Sequence, residues 1–434
     1  MRFPGNSKCA ADDRIKKDPM EPDRTKLFDI LIACLGKEKN VSGAAALSSL
    51  SAADWQELLT LAATQRIAPL FWHRLTQKGF HKMAPADAAE HFHLMFRQNT
   101  IRNMRLNGEF HLFLSKLNAE KIPLIALKGI VLANTVYTSV GLREMNDIDV
   151  LARPEDIPKI IHILTGMDYQ PMKDAGLTLI MQTSHHLPGF MKQGHAQIEL
   201  HWNITQPNRP YTIDPEGLWE RAVPARIAGS DALTLCAEDL LLHLCLHTSY
   251  QHPFTFGLRP FCDIAATIDH VGGALNWQTV VNRAHDQKWQ KGVYLALRLS
   301  SEMAGAAVPD IVMQNLQPVR TPDTVLEAAR SQIVTDKYFA GSVPLPFARL
   351  LESSSWREKI TIFRQRVFVS KAVMAKSYAL PVNSFRIYIF YLRRLYDIIR
   401  RHRRTFKNFQ QNDTGVKSLA GRKKLIADWM EIND

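Results

Sequence analysis

Two aspartates separated by one apolar residue, Asp147 and Asp149, constrain the fold of this chain more than any other feature. Side chains alternate along a β-strand, so both carboxylates would point to one face while Ile148 and Val150 point into the protein. Two carboxylates this close together are unfavourable unless a cation or a proton lies between them. The pattern therefore predicts a buried strand with a cation-binding acidic edge, although a solvated strand edge can carry the same residues without a ligand.

Two further segments extend this pattern. The apolar run 122–127 predicts a strand before the aspartates, and the segment 197–202, which reads QIELHW, predicts one after them. In the second segment Glu199 and His201 would share one face, because they are two residues apart. Residues 185–191 and 196–204 are expected to form a hairpin, which would lay Glu199 alongside the aspartate strand. Carboxylate oxygens grouped in this way suit Mg²⁺, which is often shared with substrate phosphates.

A possible phosphate site lies between the first two strands. Lys128 and Gly129 end the apolar run, and a helix is expected from about Ile130 to Tyr137. Backbone N–H groups at a helix start favour phosphate, and Lys128 would add a positive charge. Arg143 could hold a phosphate through two hydrogen bonds. The alternatives are that Lys128 is an exposed turn residue and that Arg143 forms a structural salt bridge.

At these residues the chain resembles the DNA polymerase β-like nucleotidyltransferases, and most closely a bacterial branch of uncharacterised nucleotidyltransferases. In that branch a strand ends in a Lys-Gly pair, a Tyr and an Arg precede Asp-Ile-Asp, and an h-E-L-H-W strand supplies a third acid. Tyr137 and Arg143 match the second feature, and the resemblance covers roughly residues 45–300. The wider superfamily usually has a Gly-Gly or Gly-Ser turn whose serine touches the triphosphate. Here Ile130 follows Gly129, so that hydroxyl is absent.

The resemblance implies an α+β fold in which a small mixed-sheet core is flanked by N-terminal and C-terminal helical regions. It implies Mg²⁺-dependent transfer of NMP from an NTP to a hydroxyl or phosphate acceptor on a small molecule, a sugar or a protein. The catalytic residues, which would also hold two Mg²⁺ ions, are Asp147, Asp149 and Glu199. The nucleotide-binding residues are Lys128, Gly129, Arg143 and His201.

Composition and periodicity divide the chain into five parts. They are a disordered tail at 1–24, an N-terminal helical region at 25–117, an α/β core at 118–230, a helical region at 231–308 and a basic helical region at 309–434. The resemblance implies that 118–230 is the nucleotidyltransferase core and that 231–308 covers the substrate. Within the second part, Ser51 is expected to cap a helix. The N-terminal helices would either pack simply on the core or form one wall of the substrate cleft.

Charge and cysteine content bear on partners and location. The formal net charge of +12 favours an anionic partner. The five cysteines include no CxxC pair, which argues against a disulfide framework and suits a reducing cytosol. The N-terminus has no apolar signal region, and no run of about 18 apolar residues occurs. We therefore expect a cytoplasmic protein, or one that is peripheral at the inner face of the membrane.

Histidines leave several interpretations open. His185, His186 and His201 could bind a metal, but hydrogen bonds or substrate contacts are the commoner role of imidazoles at a β-edge. His243 and His247 are four residues apart on a predicted helix and so share one face. No acid follows His243 in the way that zinc-protease chemistry requires, so packed or substrate-facing histidines are favoured.

The last part of the chain alternates basic and apolar residues, most clearly over 385–407. This pattern predicts a basic amphipathic helix that rests on an anionic membrane, contacts nucleic acid, or packs on the protein body with a solvated basic face. The competing hypothesis for the whole chain is therefore a non-catalytic nucleotide- or glycan-binding protein that these helices dock on a membrane or a partner.

Overall fold

The computed structural model describes residues 24–36, 41–172, 184–206, 213–334, 348–349, 356–378, 380–381, 383–410 and 414–431. The predicted disordered tail lies outside these residues except for Arg24, which begins the first helix. No helix in the described part of the chain is both long enough and apolar enough to cross a bilayer.

Helices form the N-terminal region, as the sequence predicts. They are α1 (Arg24–Leu35), α2 (Val41–Ser48), α3 (Ala52–Thr64), α4 (Ala68–Lys78) and α5 (Ala86–Ala119). Ser51 caps α3 as expected: its hydroxyl accepts from the backbone N–H of Asp54, whose carboxylate accepts from the Ser51 N–H. This reciprocal pair satisfies two donors that the first turn would otherwise leave unpaired. Pro69 lies in the first turn of α4, where its missing N–H has no cost.

A mixed seven-stranded sheet forms the core. Its strands are β1 (Ile125–Leu127), β2 (Asp147–Leu151), β3 (Gln170–Pro171), β4 (Phe190–Met191), β5 (Gln197–His201), β6 (Val223–Ile227) and β7 (Ser230–Thr234), in the order β3-β4-β5-β2-β1-β7-β6. Strand β2 runs antiparallel to β1 and parallel to β5, and β4 pairs antiparallel with β5. The predicted hairpin that lays Glu199 beside the aspartate strand is therefore confirmed.

The sheet contains one hairpin that the sequence analysis missed. Strands β6 and β7 are joined by Ala228 and Gly229, whose φ angles are 51° and 79°. Two successive positive φ angles are typical of a type I′ turn, which matches the twist of a tight hairpin. Strand β7 then pairs in parallel with β1. The expectation that the chain becomes helical from Asp231 is wrong for these residues, because the strand continues to Thr234.

Helices cover both faces of the sheet. Two short helices belong to the core: α6 (Lys128–Val131), which continues as a π-helical turn over Leu132–Val136, and α7 (Ile157–Gly166). Helices α5 and α7 bury one face, which carries Ile148 and Val150 as predicted. The opposite face, on which Leu127 and Leu151 lie, packs against helices that follow the sheet in the chain.

These following helices are α8 (Pro215–Glu220), α9 (Ala237–Leu246), α10 (Arg259–Val271), α11 (Trp277–Asp286), α12 (Gln290–Ala304), α13 (Asp310–Leu316) and α14 (Asp323–Val334). A π-helical turn, His247–Gln251, follows α9. Side chains at even and odd positions of a strand face opposite ways, so Asp149 points to the same side of the sheet as Leu151. The predicted site residues of β2 and β5 therefore lie under these helices.

The C-terminal helices are α15 (Trp356–Val367), α16 (Lys371–Tyr378), α17 (Arg386–Gln410) and α18 (Thr414–Glu431). The last of them returns to the body of the protein. Ile426 and Trp429 of α18 belong to the same apolar core as Leu27 of α1 and Val325 of α14. Helices α16 and α17 share a small separate cluster around Met374 and Ile387.

Candidate active site

Strand register brings two acids and a histidine together. Asp149 lies directly opposite Glu199 in the parallel pairing of β2 with β5, and His201 lies two residues further along β5. The Nε2 atom of His201 is 3.0 Å from Oδ1 of Asp149 and 3.8 Å from Oε2 of Glu199. One potential ligand atom from each of these three residues lies within 4.8 Å of the others. Asp147 is exposed at the start of β2, opposite Gln197, and is not a member of this group.

Lys128 provides the charge that balances Asp149. Its Nζ atom is 3.0 Å from Oδ1 of Asp149, and both side chains are largely buried. The lysine has a φ of 48°, in the left-handed region that residues with a Cβ rarely adopt. Such backbone strain is concentrated at functional sites. The ammonium group therefore lies beside the carboxylate for which the sequence predicts a metal ion.

The two neighbouring acids differ in charge state. Burial opposes ionisation of Asp149, but the charge of Lys128 and the hydrogen bond from His201 lower its pKa well below the usual value. Burial, followed by the negative charge of Asp149, raises the pKa of Glu199 to about 7. Near neutral pH, Asp149 is thus a fixed anion while Glu199 exchanges a proton readily. Separation of the pKa values of paired acids is typical of sites that need one acid and one base.

Histidines around this group are held neutral. Burial lowers the pKa of His201 to about 4 and that of His185 to about 2. The rings of His185 and His186 lie 5.5 Å and 5.0 Å from that of His201, measured between centroids. A neutral His201 that donates from Nε2 to Asp149 leaves Nδ1 as an acceptor, and this buried atom has no partner among the described residues.

Arg143 forms the salt bridge that the sequence analysis gave as its alternative role. Its Nε atom is 3.1 Å from Oδ1 of Asp263, its Nη2 atom is 3.0 Å from Oδ2, and both side chains are buried. The hydroxyl of Tyr137 donates to the same carboxylate at 2.9 Å. This arrangement also accounts for Gly129, because a Cβ there would lie 2.6 Å from Nη1 of Arg143.

All seven predicted site residues border one cavity of about 390 Å³. This volume falls within the range of about 300–1,000 Å³ that is usual for small-molecule sites. Two basic residues that the sequence analysis did not select, Arg66 and Arg259, also line it. The signals available in the sequence were weak. Arg66 stands just before the Pro69 helix start, and Arg259 precedes the Asp263-Ile264 pair.

The structure gives no support to a metal site at His243 and His247. His247 and His252 line the cavity, whereas His243 is buried outside its lining. Across the residues that the structure describes, the group formed by Asp149, Glu199 and His201 is the one cluster of three possible ligands. The preference for packed or substrate-facing histidines is consistent with this arrangement.

Comparison with known proteins identifies the family. The model of a family described as uncharacterised nucleotidyltransferase matches residues 51–305. The chain belongs to this family. The match covers the sheet, the acidic group and the helices that close the cavity, and it confirms the resemblance and the enzyme class predicted from the sequence. No curated protein and no solved structure matches this nucleotidyltransferase.

Proposed function

We propose that this nucleotidyltransferase carries out Mg²⁺-dependent transfer of NMP from an NTP to a hydroxyl or phosphate group of an acceptor, inside the cavity. The acceptor class is a small molecule, a sugar or a protein. The observation that carries the proposal is the convergence of Asp149, Glu199 and His201 in a cavity that Lys128 also lines. Family membership favours this function over a non-catalytic binding protein.

The donor atoms fit a divalent ion. Asp149 is a buried, ionised carboxylate, and Glu199 supplies a second carboxylate beside it. Carboxylate oxygens suit Mg²⁺, and the imidazole of His201 is a nitrogen donor of the kind that Mn²⁺ or Zn²⁺ accepts more readily. A bound divalent ion would lower the pKa of the acceptor hydroxyl and neutralise charge on the phosphates. Asp147 would complete a site for a second ion, because it precedes Asp149 on the same face of the strand.

The remaining chemistry falls to the side chains of the chain itself. Lys128 can release Asp149 to a metal ion and turn its ammonium group to a phosphate oxygen, because both groups lie in the same cavity. Glu199, which lies beside Asp149 in the same cavity, would accept the proton of the acceptor hydroxyl. Catalysis of this kind depends mainly on positioning and on charge neutralisation.

Binding of NTP tests the proposal directly. Calorimetry should detect Mg²⁺-dependent binding of at least one NTP to the wild-type protein and its loss in Asp149→Asn, which keeps the size of the side chain and an acceptor for Lys128. Glu216→Gln is the matched control, since this acid lies 58% exposed in an ion pair with Arg153. The proposal is wrong if the wild-type protein with Mg²⁺ binds no NTP, or if Asp149→Asn binds NTP as the control does.

The acceptor can be sought with the same pair of variants. Labelled NTPs incubated with cell extract should yield a labelled product in the presence of the wild-type protein and none in the presence of Asp149→Asn. Transfer to a macromolecule would be retained on a size filter, whereas transfer to a small molecule would pass through it.

A specific observation favours a second role, docking on an anionic membrane. Helix α17 leaves an apolar stripe exposed on one face, formed by Ile389, Leu392, Tyr396 and Ile399 at spacings of three and four residues, and Phe385 is exposed just before the helix. Arginines at 386, 393 and 400 are exposed beside it. An apolar stripe flanked by arginines complements acyl chains and anionic headgroups together, whereas nucleic acid would require only the charge.

Vesicle binding distinguishes an anionic membrane from nucleic acid as the partner of α17. The wild-type protein should sediment with phosphatidylglycerol vesicles but not with phosphatidylcholine vesicles, and Leu392→Glu should abolish that binding. Ile311→Glu is the control, because Ile311 is similarly exposed, at 61% against 72% for Leu392, on the distant helix α13. If Leu392→Glu sediments as the control does, or if the protein binds RNA and no vesicle, the membrane role is refuted.

A further inference from the structure

Three arginines line the cavity that contains Asp149 and Glu199. Arg66 follows α3, Arg143 precedes β2, and Arg259 begins α10, so they come from three separate parts of the chain. We propose that Arg66 and Arg259 form the site that binds the polyphosphate of the nucleotide. This inference rests on the proposed transferase function, and it assigns to two residues of the helical regions a role that the sheet does not fill.

A hydrogen bond between the residues that precede the two arginines fixes their positions relative to each other. Gln65 and Leu258, their immediate neighbours, are joined because the backbone N–H of Leu258 donates to Oε1 of Gln65 at 2.9 Å, in a buried position. Gly257, with a φ of 68°, lets the chain approach this closely, since a Cβ there would lie 2.5 Å from Oε1 of Gln65. The contact brings Arg66 and Arg259 to the same cavity although Gln65 and Leu258 are 193 positions apart.

Arg259 has spare hydrogen-bonding capacity. Its Nη1 atom donates to the backbone carbonyl of Glu144 at 3.0 Å. Its Nε atom is buried and has no hydrogen-bond partner among the described residues. Among those residues, no carboxylate forms an ion pair with this guanidinium group. A buried N–H group without an acceptor costs free energy, and a hydrogen bond to an oxygen atom of a ligand would remove that cost. Arg143, in contrast, is already neutralised by Asp263.

Arg66 is held in a strained conformation that directs it to the same place. Its φ is 59°, in the left-handed region. Its Nε atom lies 3.8 Å from Oε2 of Glu144, a long ion pair, and its Nη2 atom lies 2.9 Å from Asn146 when the oxygen of that amide faces it. Strain of this kind persists where the surroundings require it, and here it keeps a guanidinium group beside the cavity.

Electrostatics support an anion at this position. Burial, followed by the positive charges of Arg143 and Arg66, lowers the pKa of Arg259 to about 10. Like charges confined in this way are stabilised by an anionic ligand, and a guanidinium group can offer two parallel hydrogen bonds to a phosphate. The negative charge of Asp147 also acts on Arg143 and Arg259, and these residues line the same cavity as Asp149 and Glu199.

The site also compensates for a missing group. The position after Gly129 holds Ile130, which has no hydroxyl to offer a triphosphate. Arg66 and Arg259, which line the same cavity, would provide donors in its place. The nucleotide would then lie between the acids of the sheet and the two arginines, one in the α3–α4 connection and one at the start of α10.

Tripolyphosphate is the probe, because it presents the phosphate chain without a base or a sugar. Titration calorimetry is carried out on the full chain with Arg259→Gln, Arg66→Gln and, as control, Arg226→Gln, whose side chain is 73% exposed on β6. Charge-assisted hydrogen bonds predict that each of the first two changes weakens binding by roughly 10- to 100-fold. The control should bind as the wild type does. Circular dichroism checks folding, and Arg259→Lys, which keeps the charge but not the planar fork, should bind with intermediate affinity.

Repeating the titrations in an Asp149→Asn background separates this inference from the proposed transferase function. Dependence of tripolyphosphate binding on Arg66 and Arg259 should persist there, even though Mg²⁺-dependent NTP binding is lost. If the wild type binds tripolyphosphate through both arginines but never binds NTP, the arginine site stands and the transferase function fails. If Arg259→Gln and Arg66→Gln bind as Arg226→Gln does, or if the wild type does not bind tripolyphosphate, the arginine site is refuted.

Discussion

Breaking the buried ion pair between Arg143 and Asp263 should destabilise the fold more than breaking an exposed pair. The two side chains are only 7% and 4% exposed, and the carboxylate accepts from two guanidinium nitrogens and from the hydroxyl of Tyr137. Asp263→Asn keeps the shape of the side chain but removes its charge, which leaves a buried guanidinium group without a counter-ion. Breaking a buried pair in this way costs about 3–5 kcal/mol. Native stability is of the order of 5–15 kcal/mol, so we expect a large loss.

An exposed pair provides the comparison. Arg153 and Glu216 form two hydrogen bonds of 2.8 Å and 2.9 Å, shorter than those of the buried pair, but the side chains are 31% and 58% exposed. Solvent screening limits such pairs to about 1 kcal/mol or less, so Glu216→Gln should have little effect. If hydrogen-bond length rather than burial determined the contribution, the order of the two variants would be reversed.

Equilibrium unfolding in urea, followed by far-ultraviolet circular dichroism, measures both changes. The double variant Arg143→Met with Asp263→Leu should be more stable than Asp263→Asn, because it removes the buried charge as well as its partner. The reasoning is refuted if Asp263→Asn lowers the free energy of unfolding by less than about 1 kcal/mol, in the range of an exposed pair, or if the double variant is the less stable of the two.

Two further predictions concern packing and acid stability. Gly129→Ala should destabilise the fold by about 1–3 kcal/mol, because the new methyl group displaces Arg143, whereas Gly108→Ala, in an open position of α5, should stabilise it by about 0.5–1 kcal/mol in thermal unfolding. Burial lowers the pKa of His243 from 6.5 to about 3. The unfolded chain therefore takes up a proton at His243 first as the pH falls below 6.5, and this residue alone should account for a loss of roughly 2 kcal/mol of stability by about pH 5. Urea midpoints measured above pH 6.5 and at about pH 5 should show a smaller loss of stability for His243→Leu than for the wild type. The variant His91→Gln, at an exposed position, should lose as much stability as the wild type does.

Local patterns were sufficient to predict the centre of the site. The alternation of side chains along a strand put Asp147 and Asp149 on one face and paired Glu199 with His201, and the hairpin prediction placed the two strands side by side. Neither step needed information from distant parts of the chain. The same reasoning grouped Asp147 with them. This residue lies on the same face of β2 as Asp149, but at the exposed start of the strand and outside the cluster.

Contacts between distant segments could not be predicted in this way. Asp263, the partner of Arg143, is 120 positions away, and no local pattern links the two residues. Arg66 and Arg259 meet through a hydrogen bond that no periodicity reveals. The hairpin of β6 and β7 was missed because Ala228 occupies a positive-φ turn position that usually holds Asn, Asp or Gly.

The packing of α18 has a consequence for biosynthesis. Trp429 donates through its indole nitrogen to the carbonyl oxygen of Arg320 and packs in the core that α1, α3 and α4 share. Helices α1, α3 and α4 are synthesised long before α18, so part of their shared apolar surface stays uncovered until α18 is made. Until then this apolar surface is exposed to chaperones and to other nascent chains. A premature stop before Thr414 should therefore yield a protein that proteases degrade quickly.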